Sequence, residues 1–120
     1  MPSKHLISLN EAHEMISKFR KMKEVILKDN FLNLDILPNC ETFERSAFDT
    51  ILAKEGCTSV RAYLGMDAMD QVRLIFVGVN ENNEDLINSV NTADEDDDGD
   101  IFENGVRCPS VCPPPSPINP

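Results

Sequence analysis

Thr58-Ser59-Val60-Arg61-Ala62-Tyr63-Leu64-Gly65-Met66-Asp67-Ala68-Met69-Asp70-Gln71-Val72-Arg73-Leu74-Ile75-Phe76-Val77-Gly78-Val79 decides the fold class. Its first part, Thr58 to Leu64, sets Val60, Ala62 and Leu64 against Ser59, Arg61 and Tyr63. That two-residue period belongs to a strand with one wetter face. Gln71 to Val79 is apolar on nearly both faces, as a more central strand is. Gly65 to Asp70 has the length of a hairpin loop between them.

Upstream the period changes. Ser8-Leu9-Asn10-Glu11 fits a capping box, with Ser8 as the N-cap and Glu11 at the third helical position. Ala12, Met15, Ile16, Phe19, Met22 and Ile26 then form one apolar stripe, which predicts a helix to about Lys28. Lys23 sits near the edge of that stripe. The bases Lys18, Arg20, Lys21 and Lys23 point around the axis and are interleaved with acids, so they read as a solvated face. Asn39 is a candidate cap for a second helix, with Phe43, Ala47, Phe48, Ile51 and Leu52 as its buried face and Gly56 as its stop.

Downstream, Asn80 to Asn83 ends the second strand and Glu84 to Val90 is expected to form a helical turn. Ile101 to Arg107 centres on Asn104-Gly105, a strong hairpin signal, and reads as a small terminal hairpin or one added edge strand. Two strands alone make a poor sheet, so that third strand or a partner's edge is needed. The expectation is an α+β fold: two N-terminal helices packed on a small antiparallel β-hairpin sheet, then an acidic linker and a Pro-rich C-terminal tail. Residues 1–90 would be the compact domain and 91–120 the acidic and Cys/Pro-rich tail, packing back as a short hairpin if it packs at all.

Charge is unevenly placed. The 120 residues carry a formal charge of −10, and ten of the 21 acids fall within residues 81–103, which contain no base. The rest of the chain is neutral. Without clustered Lys and Arg to neutralise phosphates, nucleic acid is not an expected partner. No window is long and apolar enough for a membrane span or a secretory signal, so no membrane role and a cytoplasmic location are expected. In that compartment the cysteines would be thiols or ligands.

Several residues invite chemistry. Cys40 and Cys57 flank the predicted second helix, which would hold them roughly 20 Å apart and unable to pair. Cys108 and Cys112 are close in sequence and leave three readings open: free thiols, a local disulfide, or metal ligands. A structural zinc site wants a second short ligand pair, and none is present. Asp94, Asp96, Asp98 and Asp100 lie in an acidic run resembling half of a calcium loop, with Gly105 where a bidentate Glu belongs. Acidic runs are more often solvated linkers.

Inside the domain, Glu44 falls in the middle of the second helix's apolar arc, where a charge must be paired or partly wet. Arg61 and Arg73 are candidate partners, with Tyr63 nearby. Glu44, Arg61, Tyr63 and Arg73 therefore form either a small polar ligand pocket or a structural ion pair. Neither histidine has an acidic or nucleophilic companion, and no nucleophile elbow or phosphate-cradling glycine loop occurs. No catalytic residue and no cofactor are implied.

Cys40-Glu41-Thr42-Phe43-Glu44-Arg45-Ser46-Ala47-Phe48-Asp49, Gly56-Cys57, Tyr63 to Asp67, Val77 to Asn80 with Asn83-Glu84-Asp85, and the Cys-Pro-rich end together resemble a group of small bacterial proteins with no assigned activity. The resemblance covers most of the chain and implies no site. It implies only that the charged residues of the second helix belong to a shared block. The expected function is a non-catalytic protein-interaction or assembly module, engaging a protein partner or a second copy through the tail and an exposed sheet edge. The alternative is a small-ligand or metal-binding protein using Glu44, Arg61 and Arg73 or the acidic and thiol tail.

Overall fold

The computed structural model describes residues 4–87 and 101–119. The fold is mixed α+β, with two helices and small antiparallel sheets. In chain order the elements are α1 (Leu9–Met22), a single 3-10 turn (Asp29–Phe31), β1 (Cys40–Thr42), α2 (Arg45–Leu52), β2 (Ser59–Met66), β3 (Val72–Val79), β4 (Ile101–Phe102) and β5 (Val106–Cys108). They divide into two compact units, one of residues 1–40 with 107–120 and one of residues 41–106. β1 and β5 pair as a two-stranded sheet.

The larger unit is built on the hairpin. β2 and β3 pair antiparallel along their whole length, from Ser59 opposite Val79 to Met66 opposite Val72. Each strand is close to its predicted span, and the loop is shorter than expected because pairing continues through Gly65 and Met66. Asp67 closes the turn: its Oδ1 accepts from the Met69 and Gln71 amides at 2.9 and 3.0 Å. Asp70 takes the left-handed conformation (φ 63°). β4 adds antiparallel to the other side of β3, Phe102 opposite Phe76 and Ile101 opposite Val77. Within 101–107 only Ile101–Phe102 adds as an edge strand, and the segment does not close on itself as a hairpin, since β4 joins β3 and β5 joins β1.

Opposed residues of an antiparallel pair share a face. Val60, Ala62, Leu64 and Met66 therefore lie with Val72, Leu74, Phe76 and Gly78. α2 packs on this face. Ile51 is fully buried, and a Cβ on Gly78 would stand 3.2 Å from its Cγ2 and 3.1 Å from Cys57 Sγ. Phe43, Phe48 and Phe76 stack edge to face, with centroids 4.9 to 6.3 Å apart.

Three expectations change here. The second helix begins at Arg45, not at Asn39, because Cys40–Thr42 extends as β1 and Glu44 is the N-cap. Cys40 and Cys57 are free, as expected, but no helix spans the interval between them. Glu84 to Ile87 make no helical turn: Asp85 bridges Val79, with the Asn80 amide bonded to the Glu84 carbonyl and the Leu86 amide to that of Gly78.

The smaller unit is a helix and a connector tied to the chain's end. Ser8 and Glu11 form both bonds of the capping box. α1 stops at Met22, earlier than its apolar stripe, and no residue on it is buried. Lys23 caps its end and meets carbonyl oxygens instead of a carboxylate, donating to Leu37 O at 3.2 Å and Asn39 Oδ1 at 2.7 Å. Arg20 donates to Asn119 Oδ1 at 2.7 Å, and Asn119 Nδ2 donates back to the Pro114 carbonyl at 2.9 Å. The buried Arg107 donates to the carbonyls of Asp35 and Ile36. Residues 107–119 are therefore fastened to residues 4–40 by polar side chains, Asn119 accepting from Arg20 and Arg107 donating to the carbonyls of residues 35 and 36.

Candidate functional site

The face of the hairpin opposite α2 carries the residues singled out by the sequence. Arg61 and Tyr63 lie two apart on β2, so both side chains project to that face. They converge on Asp85, where Arg61 Nη1 bonds Oδ1 and the Tyr63 hydroxyl donates to Oδ2. Arg61 Nη2 also bonds the side-chain oxygen of Asn83, whose φ of 66° sets the turn that returns Asp85 toward the sheet. The Tyr63 hydroxyl and then the Arg61 guanidinium hold the Asp85 carboxyl below its usual value of 3.8. Asp85 in turn raises Arg61.

Arg73 belongs to a different cluster. It lies opposite Gly65, and Arg61 lies opposite Val77. Four residues of strand, roughly 13 Å, separate the two arginine positions. Arg73 Nη2 donates to the Gly105 carbonyl at 2.9 Å. Its guanidinium also stands 3.4 Å from Glu41, 3.7 Å from Asp67 and 3.5 Å from Glu103.

Glu41 is the buried acid that sequence reasoning missed. Its side chain is 0% exposed, against 14% for Arg73. Its Oε1 accepts the Leu74 amide at 2.8 Å. β4 reaches only to Phe102 opposite Phe76, so two residues further along β3 the ladder partner of Leu74 is a carboxylate. The contact between Glu41 Oε2 and Arg73 Nε is an ion pair and not a hydrogen bond, and neither atom has another hydrogen-bond partner among the described residues.

Glu44 is exposed at the start of α2, makes no side-chain capping bond, and has no ion pair among the described residues. On a helix starting at Asn39 it faces the core; on one starting at Arg45 it precedes the first turn. Reading Cys40-Glu41-Thr42 as a strand is what would have moved attention from Glu44 to Glu41. The four proposed residues thus separate: Arg61 and Tyr63 meet at Asp85, Arg73 meets Glu41, and Glu44 meets neither.

Cys108 and Cys112 form a disulfide, which selects one of their three readings and removes them as a thiol pair. Asp94, Asp96, Asp98 and Asp100 lie outside the described residues. Among the described residues no group of three or more His, Cys, Asp or Glu is arranged to hold a metal ion, and no helix is long and apolar enough to cross a membrane. No protein-family model, curated protein or solved structure matches the chain.

Proposed function

We propose that this chain is a non-catalytic protein-interaction module and that the outer edge of β2 is its contact. One observation carries the reading. β2 is the terminal strand of the order β2-β3-β4, eight residues long, and among the described residues no strand pairs with its outer side. The Asp67 amide bonds the Gln71 carbonyl, which continues the β2–β3 ladder and assigns its bonded pairs to odd-numbered positions. The amides and carbonyls of Val60, Ala62, Leu64 and Met66 therefore point outward. Sheet edges that must stay single carry Pro, Lys or a bulge, and β2 has none of these. Its one charge, Arg61, is engaged by Asp85 and Asn83.

The side chains alternating with those open amides favour the same reading. Leu64 and Met66 are 76% and 58% exposed, because the eight-residue α2 covers only part of its face of the sheet. A ligand pocket built on Arg61 and Arg73 has less support, since both guanidiniums already meet carboxylates of the same chain. Amide hydrogen exchange tests the proposal. Val60, Ala62, Leu64 and Met66 should exchange fast in the isolated chain and slow on association, while the odd-numbered β2 amides stay protected in both states. Fast exchange of both sets in every state would defeat it.

A further inference from the structure

The edge argument can be taken to a particular partner. Resting on the reading of β2 as a contact edge, we infer that its occupant is the β2 strand of a second copy, paired antiparallel about a two-fold axis at Tyr63. The outward groups are the even positions, so an antiparallel copy must match even with even. The register that uses all four outward residues places Val60 opposite Met66 of the other copy and Ala62 opposite its Leu64. Tyr63 then meets its own counterpart. Registers displaced by one residue at the axis lose one even pair at the end of the strand.

The side chains fit that register on both faces. On the α2 face, Val60, Ala62, Leu64 and Met66 meet their equivalents, so each copy's exposed Leu64 and Met66 lies beside apolar groups. On the other face Arg61 falls opposite Gly65, which has no side chain to collide with it. No like charges are opposed at any position from Ser59 to Asp67. A backbone edge alone would accept any strand; the match of Val60, Ala62, Leu64 and Met66 with their own counterparts, two of them largely exposed in the single chain, together with the fit of Arg61 opposite Gly65, singles out a second copy. The product is a continuous sheet in the order β4-β3-β2-β2-β3-β4, in which β2 is no longer an open edge.

The test uses the full chain, by sedimentation equilibrium and by cross-linking. The unaltered protein should sediment as a dimer. Leu64→Pro deletes an outward N–H without touching the β2–β3 ladder, a place where an edge strand tolerates proline. It should raise the dissociation constant at least tenfold. Leu64→Lys, a substitution at an exposed position, should do the same with an unchanged circular dichroism spectrum, which covers the case in which the proline variant fails to fold. Tyr63→Cys should cross-link on mild oxidation, because residues paired on the axis have Cα atoms about 4.5 Å apart. Ser59→Cys, eight residues from its own counterpart in this register, should not.

A monomer up to the solubility limit would overturn the inference. So would a dimer that survives both Leu64 variants and fails to cross-link through position 63. A monomer whose even-numbered β2 amides become protected only when a different protein binds would overturn self-pairing and leave the interaction-module reading standing.

Discussion

Replacing Gly105 by Ala tests the packing of the larger unit at its most constrained point. A Cβ built on Gly105 would lie 2.4 Å from Cε1 of Phe43, 2.7 Å from Cζ and 2.9 Å from Cδ1. Ordinary carbon contacts begin near 3.5 Å, so the ring must retreat by about 1 Å. It has little room, because Phe76 meets it edge-on at a centroid distance of 4.9 Å and Phe48 stands at 6.3 Å. Overpacking of this kind costs about 1–3 kcal/mol. Disturbing the two aromatic contacts adds up to ~1 kcal/mol.

Against this, alanine restricts the unfolded chain more than glycine and returns roughly 0.4–1 kcal/mol. That gain applies in full because Gly105 is not left-handed; the left-handed residue of the pair is Asn104, with φ 77°. The middle of these ranges is a net loss of about 2 kcal/mol, read as a lower urea midpoint at unchanged slope. A double-mutant cycle locates the cause: in a Phe43→Leu background the cost of Gly105→Ala should fall by at least ~1 kcal/mol. A Gly105→Ala protein as stable as its parent, or a cost identical in both backgrounds, would refute the argument.

Three further outcomes are expected. Glu41→Ala should destabilise by about 2–3 kcal/mol, since it leaves the Leu74 amide unbonded and removes the acid closest to Arg73, while Asp67 and Glu103 stay beside the guanidinium. Glu41→Gln, which can keep the amide bond, should cost less in the same urea titration. The Asp85 carboxyl should titrate below 3.8, and Tyr63→Phe should move it up toward that value, as followed by carboxyl NMR. Because its folded pKa is depressed, the stabilisation from Asp85 is complete above 3.8 and is lost as pH falls through the lower folded value; Asp85→Asn should flatten that acid-side decline. Cys112→Ala should lower stability by about 2 kcal/mol, the loop-closure value for a five-residue ring, and thiol titration should count one more reactive cysteine, Cys108.

How much was legible beforehand can be judged residue by residue. The Ser8/Glu11 capping box, the two long strands and Gly78 within β3 followed from local pattern. So did the pairing of Arg61 and Tyr63 on one face, which the two-residue period dictates. The position of α2 did not. Ala47, Phe48 and Ile51 suit a helical face whether the helix begins at Asn39 or at Arg45, and local periodicity cannot choose between the two. The choice made Glu44 a buried charge and hid Glu41, which is 0% exposed because it terminates the β3 ladder at Leu74. Asn104-Gly105 reads locally as a hairpin turn and makes none, because β4 and β5 pair with different strands; what local pattern could not show is that Phe43 occupies the space a side chain on Gly105 would need.

The sequence by itself determined the elements whose causes lie within a few residues. These are the cap of α1, the alternation of β2 and the apolar run of β3, together with the concentration of acidic charge in residues 81–103. Only the tertiary structure decided which carboxylate meets which guanidinium, that β4 and β5 part to join different sheets, and that Asn119 and Arg107 fasten the chain's end to residues 4–40. Most of those contacts join residues 24 to 99 positions apart. No local pattern encodes such pairings, because they are fixed by burial and by the need of every buried polar group for a partner.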